Sequence, residues 1–289
     1  MWIYLVLLYG VLKGVREICK KKALLTCTSI EVLLIYTAIS FLLVCPDAKN
    51  AMGMPGIFYL FTALKAFIIF IAWICSFKAI KQLPLSFYGI LDLSRVIFST
   101  LLGLIVLNES MSAFNVIGLI LVCSGLLMLK FNPLSLFSKD KNSKISTEVL
   151  SISAVLAAFA SCLLNSLSGL SDKILMQYIN SSQLQFWYMF FLCLYYIIYA
   201  IIEKAEVNIV RALKCKWIWL LAILFVIADR ALFIANSMEE SQITVMTLLK
   251  QAGVIVTILA GKFIFKEKNI GYKLFCAGIM IFGIVLGVM

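Results

Sequence analysis

The chain has 289 residues, of which 63% are hydrophobic and 13% are charged, and its mean hydropathy is +1.06. Soluble globular domains contain roughly half apolar and a quarter charged residues, so this composition excludes that class and indicates an integral membrane protein. Each spanning segment must then satisfy its own backbone hydrogen bonds, as a helix does. The formal net charge of +11 lies mostly in short connectors, where Lys and Arg meet anionic lipid headgroups, so no nucleic-acid partner is expected.

A helix needs about 20 apolar residues to cross the hydrocarbon of a bilayer. The hydropathy pattern therefore predicts an all-α integral membrane protein with ten transmembrane helices. They are placed at Trp2–Cys19, Thr28–Val44, Ile57–Ile80, Leu85–Leu107, Ala113–Leu129, Val149–Leu170, Leu184–Ile202, Trp217–Met238, Ile243–Phe265 and Tyr272–Val288. A long polar connector follows the fifth segment. It divides the chain into a first five-helix half (1–130), a linker (131–148) and a second five-helix half (149–289).

The fourth segment has a counterpart in the ninth. Ser86–Glu109 and Thr244–Glu267 are membrane-length apolar runs that end in glutamate, and an offset of 158 relates them (267 − 109 = 158). The same offset pairs Asp92 with Lys250 and Gly125 with Gly283, while an offset of 155 pairs Gly14 and Glu17 with Gly169 and Asp172. Because each half has an odd number of helices, the halves cross the bilayer in opposite directions. This predicts two inverted five-helix repeats with a site near the midplane, the plan of many secondary transporters.

The orientation of the chain follows from its connectors. Lys and Arg concentrate in connectors one, three, five, seven and nine, whereas the even connectors hold little beyond Lys49 and Lys173. By the positive-inside rule, this distribution places both termini outside the cytoplasm.

Ionisable residues inside spanning segments cost on the order of 3 kcal/mol each and are functional candidates by default. Asp92 and Arg95 lie three residues apart on one helix face, where they can pair, either as part of a site or to fix helix orientation. Asp229 and Arg230 are adjacent and so point roughly 100° apart. At least one of them should therefore face a polar cavity or another helix.

Further deep charges lie in other segments. Lys250 and Gln251 occupy the depth of Asp92, so a bridge from Lys250 to Asp92 or Asp229 is attractive, with snorkelling along lipid as the alternative. Lys65 and Lys13 are open candidates. For Arg16 and Glu17, near a segment end, the favoured interpretation is an interfacial position.

Together the deep groups predict a mixed cavity with surplus positive charge, which suits an anionic or zwitterionic metabolite. The predicted substrate-binding residues are Asp92, Arg95, Asp229, Arg230, Lys250, Gln251, Lys65, Trp73, Tyr88 and Asn236, with Phe87 and Phe233 as further wall candidates. Asp92 and Asp229 are the candidates for proton coupling. Aromatic residues in membrane helices also serve as packing or lipid-facing groups, which is the alternative for the wall residues.

Several other functions are disfavoured by the sequence. It has no His and no CxxC pair among nine Cys, so neither a metal site nor a cofactor is expected. It has no GxxxxGK[ST] motif for binding ATP and no GxSxG motif for a serine nucleophile. Arginines near both deep aspartates favour ionised carboxylates, whereas an aspartyl protease needs two carboxyl groups that share a proton. An enzyme is therefore not expected. GxxxG spacings at Gly10 and Gly14, and at Gly283 and Gly287, favour close helix packing and leave a homodimer open.

The chain has a ten-helix layout, duplicated halves and the repeated segments LLGLIVLNES and LAGKFIFKEK, which are followed by Gly118–Gly125 and Gly278–Gly283. These features resemble the drug/metabolite transporter superfamily, EamA-like branch. The resemblance implies a secondary transporter with a central cavity between the halves that works by alternating access. It also implies cytoplasmic termini, in conflict with the distribution of Lys and Arg. Alternatives are a flippase for a lipid-linked or amphipathic molecule and a quaternary-amine transporter. Heavy use of Ile, Lys, Phe and Asn favours a bacterial cell membrane.

Overall fold

The computed structural model describes residues 1–83, 88, 91–92, 94–109, 111–130, 152–264 and 270–286. All regular secondary structure in these ranges is helical. The helices are α1 (Trp2–Ala23), α2 (Ser29–Val44), α3 (Ala48–Ala51), α4 (Gly56–Gln82), α5 (Ser94–Val106), α6 (Ala113–Lys130), α7 (Ile152–Leu175), α8 (Ser181–Ile202), α9 (Ile209–Lys214), α10 (Lys216–Asn236), α11 (Ile243–Lys250), α12 (Ala252–Phe263) and α13 (Ile270–Leu286), with a 3-10 turn at Cys45–Asp47.

Five helical stretches are long and apolar enough to cross a membrane: Ser29–Ala51, Gly56–Gln82, Ile152–Leu175, Ser181–Ile202 and Lys216–Asn236. Shorter apolar helices cover Ser94–Val106, Ala113–Gly125 and Ile243–Thr257. These features support the predicted class, a multi-pass helical membrane protein.

A helix overlaps each of the ten predicted segments, with two differences in how the helices are divided. The ninth segment is divided at Gln251 into α11 and α12, and the short helices α3 and α9 lie in connectors where none was expected. The linker, Phe87, Glu267, Gly287 and the predicted segment ends at Leu85, Val149, Phe265 and Val288 lie outside the described residues.

Local sequence explains where the second helix of each half begins. Thr28 and Glu31 form a capping box at α2, in which the Thr28 hydroxyl accepts from the Glu31 amide and the Glu31 carboxylate accepts from the Thr28 amide. Asn180 and Gln183 form the same device at α8. Such caps satisfy amides that the helix itself leaves unpaired.

The main helix packing joins the two halves. α1 packs on α10, α11 and α12, and α7 packs on α4 and α5. α2 packs on α8 and α10, α8 packs on α4, α5 packs on α11, and α6 packs on α13. An aromatic cluster, which includes Tyr36, Phe77, Tyr188 and Phe225, fills the core among α2, α4, α8 and α10. A polar space remains beside it, between α1, α4, α5, α7, α8, α10 and α11.

Glycines allow the closest of these contacts, as the GxxxG spacing predicted. A Cβ added to Gly14 would lie 2.5 Å from the Gly253 carbonyl oxygen, and one on Gly10 would lie 3.1 Å from that of Leu249. In α6 and α13, Gly125 contacts Cys276 and Met280, whereas Gly283 contacts Gly118 and Val122. Small residues let membrane helices gain van der Waals contact without an intervening side chain.

We expect Gly14→Ala to destabilise the protein by about 1–3 kcal/mol, because the new methyl group would overpack the backbone of α12. Gly169→Ala is the matched control: the two positions are paired by the 155 offset, yet a Cβ on Gly169 meets nothing within 4 Å. Helix propensity should make the control neutral or stabilising by up to about 1 kcal/mol. Unfolding of both variants in detergent micelles measures the difference, and equal stability would contradict the packing account.

Candidate functional site

A buried polar cavity lies between helices of both halves. The helices α1, α4 and α5 line it from the first half, and α7, α8, α10 and α11 line it from the second. Its ionisable lining residues are Tyr9, Lys13, Arg16, Glu17, Lys20, Lys65, Tyr88, Arg95, Asp172, Tyr188, Asp229 and Lys250, and other lining residues include Trp73, Ser99, Asn165, Phe233, Asn236 and Gln251. Most of the predicted site residues are therefore brought together, and Asp92 joins them as an ion-pair partner.

One face of α1 supplies much of the charge. Lys13, Arg16, Glu17 and Lys20 recur at spacings of three or four residues and all line the cavity. An interfacial position for Arg16 and Glu17 stays a prediction, but both side chains line the cavity instead of facing lipid, and Arg16 is 6% exposed. α1 continues to Ala23, four residues beyond the predicted end, which carries these residues into the protein interior. Their helical spacing was the signal that could have identified them.

Asp92 binds two cations. Its Oδ2 lies 2.7 Å from Lys13 Nζ, and its Oδ1 lies 3.1 Å from Arg95 Nη2. The predicted pairing of Asp92 with Arg95 is thus confirmed, with Lys13 as an additional partner from α1. The Arg95 Nε group is buried and has no hydrogen-bond acceptor. One carboxylate therefore serves two bases, and Arg95 retains donor capacity.

Two further ion pairs connect the halves. Arg16 Nη1 lies 3.3 Å from Asp229 Oδ1, and Lys65 Nζ lies 2.8 Å from Asp172 Oδ1. Both cations also lie over aromatic rings: Lys65 Nζ is 3.5 Å from the centroid of the Tyr188 ring, and the Arg16 guanidinium carbon is 4.6 Å from that of Phe225. Within α1, Lys20 Nζ lies 2.8 Å from Glu17 Oε1.

Lys250 differs from the other cavity cations, because it forms no ion pair or hydrogen bond within the described part of the chain. Its Nζ lies 5.6 Å from the centroid of the Tyr9 ring. The expected bridge from Lys250 to Asp92 or Asp229 is not formed, because Lys13 and Arg16 of α1 occupy those carboxylates. The amide nitrogen of Gln251 donates to the Thr247 carbonyl, while its Oε1 is buried without a donor.

The predicted site role of Arg230 is not supported, since this residue lies outside the cavity. Its guanidinium pairs with Asp47 and binds Ser182 and Gln185, beside a separate groove that contains Leu5. Asp229, its neighbour, lines the cavity. Adjacent positions on a helix diverge by about 100°, which lets Asp229 face the cavity while Arg230 faces the groove.

The predicted wall residues Trp73, Tyr88, Phe233 and Asn236 all line the cavity. The Tyr88 hydroxyl lies 2.7 Å from Ser76 Oγ. Asp172 was missed as a site residue, although the 155 offset had already paired it with Glu17. Within the described ranges, no three acidic or cysteine side chains come together to hold a metal ion.

The sequence matches no family model and no curated protein. Solved structures do match the fold, with 27 similar chains found. One of them, described as "Crystal structure of protein", superposes with a TM-score of 0.71 over 99% of this chain and 95% of its own length, at 13% identity. The chain therefore shares its fold with a solved structure along nearly its whole length.

Proposed function

We propose that this protein is a secondary active transporter that moves a small anionic or zwitterionic metabolite by alternating access. On this proposal it is an EamA-like member of the drug/metabolite transporter superfamily in a bacterial cell membrane, with ten spans in two inverted five-helix repeats. The observation that carries the proposal is the buried charged cavity, which helices from both halves line. A site between two halves becomes accessible to either side of a membrane when the halves rock against each other.

The helix contacts support the repeat. If α1, α2, α4, α5 and α6 correspond in order to α7, α8, α10, α11–α12 and α13, each of the main contacts between the halves has a partner. The packing of α1 on α10 corresponds to that of α7 on α4, and the packing of α2 on α10 corresponds to that of α8 on α4. The packing of α1 on α11 and α12 corresponds to that of α7 on α5. The contacts α2–α8, α5–α11 and α6–α13 each join a helix of one half to its own counterpart in the other half.

Side-chain contacts support the same correspondence. Gly125 contacts Cys276 and Met280, and Gly283 contacts Gly118 and Val122. Each residue of the first set lies 158 positions from its equivalent in the second, so the two sets of contacts are related by the repeat. Two lysines also have similar roles, although the 152 residues that separate them are three fewer than the 155 offset (173 − 21 = 152). Lys21, which follows Lys20 in α1, donates to the Ile80 and Leu83 carbonyls at the end of α4. Lys173, in α7, donates to the Asn236 and Met238 carbonyls at the end of α10.

The charge of the cavity favours an anion or a zwitterion over a quaternary amine. Trimethylammonium groups bind on the faces of aromatic rings. Here Lys65 lies over Tyr188 and Phe233, and Arg16 lies over Phe225, so the protein's own cations occupy those rings. Lys250 and the unpaired Nε of Arg95 instead offer donors to a negative group.

Proton coupling is part of the proposal. Asp92 and Asp229 remain the candidates, and Asp172 is a third buried carboxylate in the same cavity. Each of the three is paired with a base, so protonation of one carboxylate would release that base to bind substrate.

A flippase remains a second candidate because of one feature. A crevice between α1 and α12 shares Lys13, Glu17, Tyr88 and Lys250 with the main cavity and adds the small or apolar residues Gly14, Gly253, Val254 and Thr257. An amphipathic substrate could place its charged head in the cavity and its chain in this crevice.

Thermal unfolding of the purified protein against a panel of ligands tests the proposal, since a ligand that binds the folded state raises the melting temperature. The panel contains amino acids, organic phosphates, quaternary amines, nucleotide sugars and a prenyl phosphate. We expect an anion or zwitterion to stabilise the wild type and to have no effect on Arg95→Ala. Stabilisation by the prenyl phosphate alone would favour the flippase, and stabilisation by a quaternary amine alone would contradict the proposed substrate class.

A further inference from the structure

The ion pairs of the cavity leave two positive charges without a negative partner. The ionisable groups that line it, or pair directly with a lining group, include six bases: Lys13, Arg16, Lys20, Lys65, Arg95 and Lys250. They include four acids: Glu17, Asp92, Asp172 and Asp229. The formal charge of the described cavity is therefore +2 (6 − 4 = 2).

The excess charge is localised. Three pairs, Arg16–Asp229, Lys65–Asp172 and Lys20–Glu17, are each neutral. The remainder consists of Lys13 and Arg95, which share the single carboxylate of Asp92, and of Lys250, which lacks an acidic partner in the described ranges. These residues come from α1, α5 and α11. Lys13, Asp92 and Lys250 line one common crevice together with Glu17, whose charge Lys20 balances, and Arg95 reaches this crevice through its ion pair with Asp92. The two surplus charges therefore lie around this crevice, at one end of the cavity.

Close backbone packing holds this end in place. Gly10 of α1 lies against the backbone of Leu249 and Lys250, so α1 brings Lys13 to the end of α11 that carries Lys250. Arg95 is anchored through Asp92 and keeps its Nε free of any acceptor. Uncompensated charge in a low-dielectric interior is costly, and a bound counter-charge at this end removes the cost.

We infer that the cationic end formed by Lys13, Arg95 and Lys250 binds a doubly negative group of the substrate, a phosphate monoester or a dicarboxylate. The inference rests on the proposed function and narrows its substrate class. A monoanion would leave one positive charge uncompensated, and a zwitterion would leave two. Lys250 is the residue that distinguishes a dianion from a monoanion, because the other two bases already share Asp92.

Binding of matched anions to the full-length protein at pH 7 and constant ionic strength tests the inference. The probes are methyl phosphate with dimethyl phosphate, and succinate with monomethyl succinate, so that each pair compares two negative charges with one. Glycine serves as the zwitterion. We expect one of the dianions to bind on the order of ten-fold more tightly than its monoanionic partner, which corresponds to about one charged hydrogen bond. The pair that shows the preference identifies the phosphate or the dicarboxylate as the group.

Lys250→Gln should abolish this preference, because the affinity for the dianion should fall to that for the monoanion. Lys250→Arg should retain the preference. The exposed Lys214→Gln is the control and should behave as the wild type. Equal affinity of dianion and monoanion in the wild type, or an unchanged preference in Lys250→Gln, would overturn the inference. If glycine or a monoanion binds most tightly and Lys250→Gln weakens it, the dianion inference falls while the proposed function stands. If no probe binds at millimolar concentration, both fall.

Discussion

Arg95→Ala and Lys250→Ala are expected to abolish transport while leaving the protein folded. Removal of Arg95 leaves Asp92 paired with Lys13 at 2.7 Å, and removal of Lys250 leaves no described carboxylate without its partner. Neither change strands a buried charge, so the fold should persist. Each change does remove a donor that faces the cavity, and we expect substrate affinity to fall by at least about ten-fold.

The measurement combines uptake into proteoliposomes with size-exclusion chromatography and helical circular dichroism on the same preparations. Lys214→Ala, on the exposed surface of α9, is the matched control and should transport at the wild-type rate. Normal uptake by both cavity variants would rule out the cationic end as the substrate site.

Asp229→Ala is expected to destabilise the protein by about 3–5 kcal/mol, because it leaves Arg16 buried without its carboxylate. Replacement of both residues, as Arg16→Leu with Asp229→Leu, should recover much of this loss, since no charge then remains unpaired. Unfolding of the wild type, both single variants (Arg16→Leu and Asp229→Leu) and the double variant forms a complete double-mutant cycle. Additive single effects, within about 0.5 kcal/mol, would show that this pair between the halves is not coupled.

The predicted class and the positions of the helices followed from hydropathy, because the length and composition of a spanning helix are set by the bilayer. The close packing of Gly10 and Gly14 was also predictable, since GxxxG lets two helices approach closely. The division of the ninth segment at Gln251 was not predicted, because the nearby Gly253 is of a type that membrane helices commonly contain without a break.

The site was predicted less completely. Asp92 with Arg95 followed from a spacing of three residues within one helix, which depends on local geometry alone. The partners of Lys13, Arg16 and Asp172 come from other helices, and hydropathy says nothing about which helices meet. Arg230 shows the opposite error: its depth suggested a site, yet Asp47, in the 3-10 turn after α2, provides a partner on another face.

Counterflow in proteoliposomes tests the central claim most directly. Vesicles that contain the wild-type protein are loaded with the ligand that stabilises it best and are then given a trace of the same ligand in labelled form outside. A carrier with a cavity between two halves should accumulate the label transiently against its gradient, and Arg95→Ala vesicles should not. Label uptake no faster than in protein-free vesicles, despite binding to the purified protein, would contradict the account.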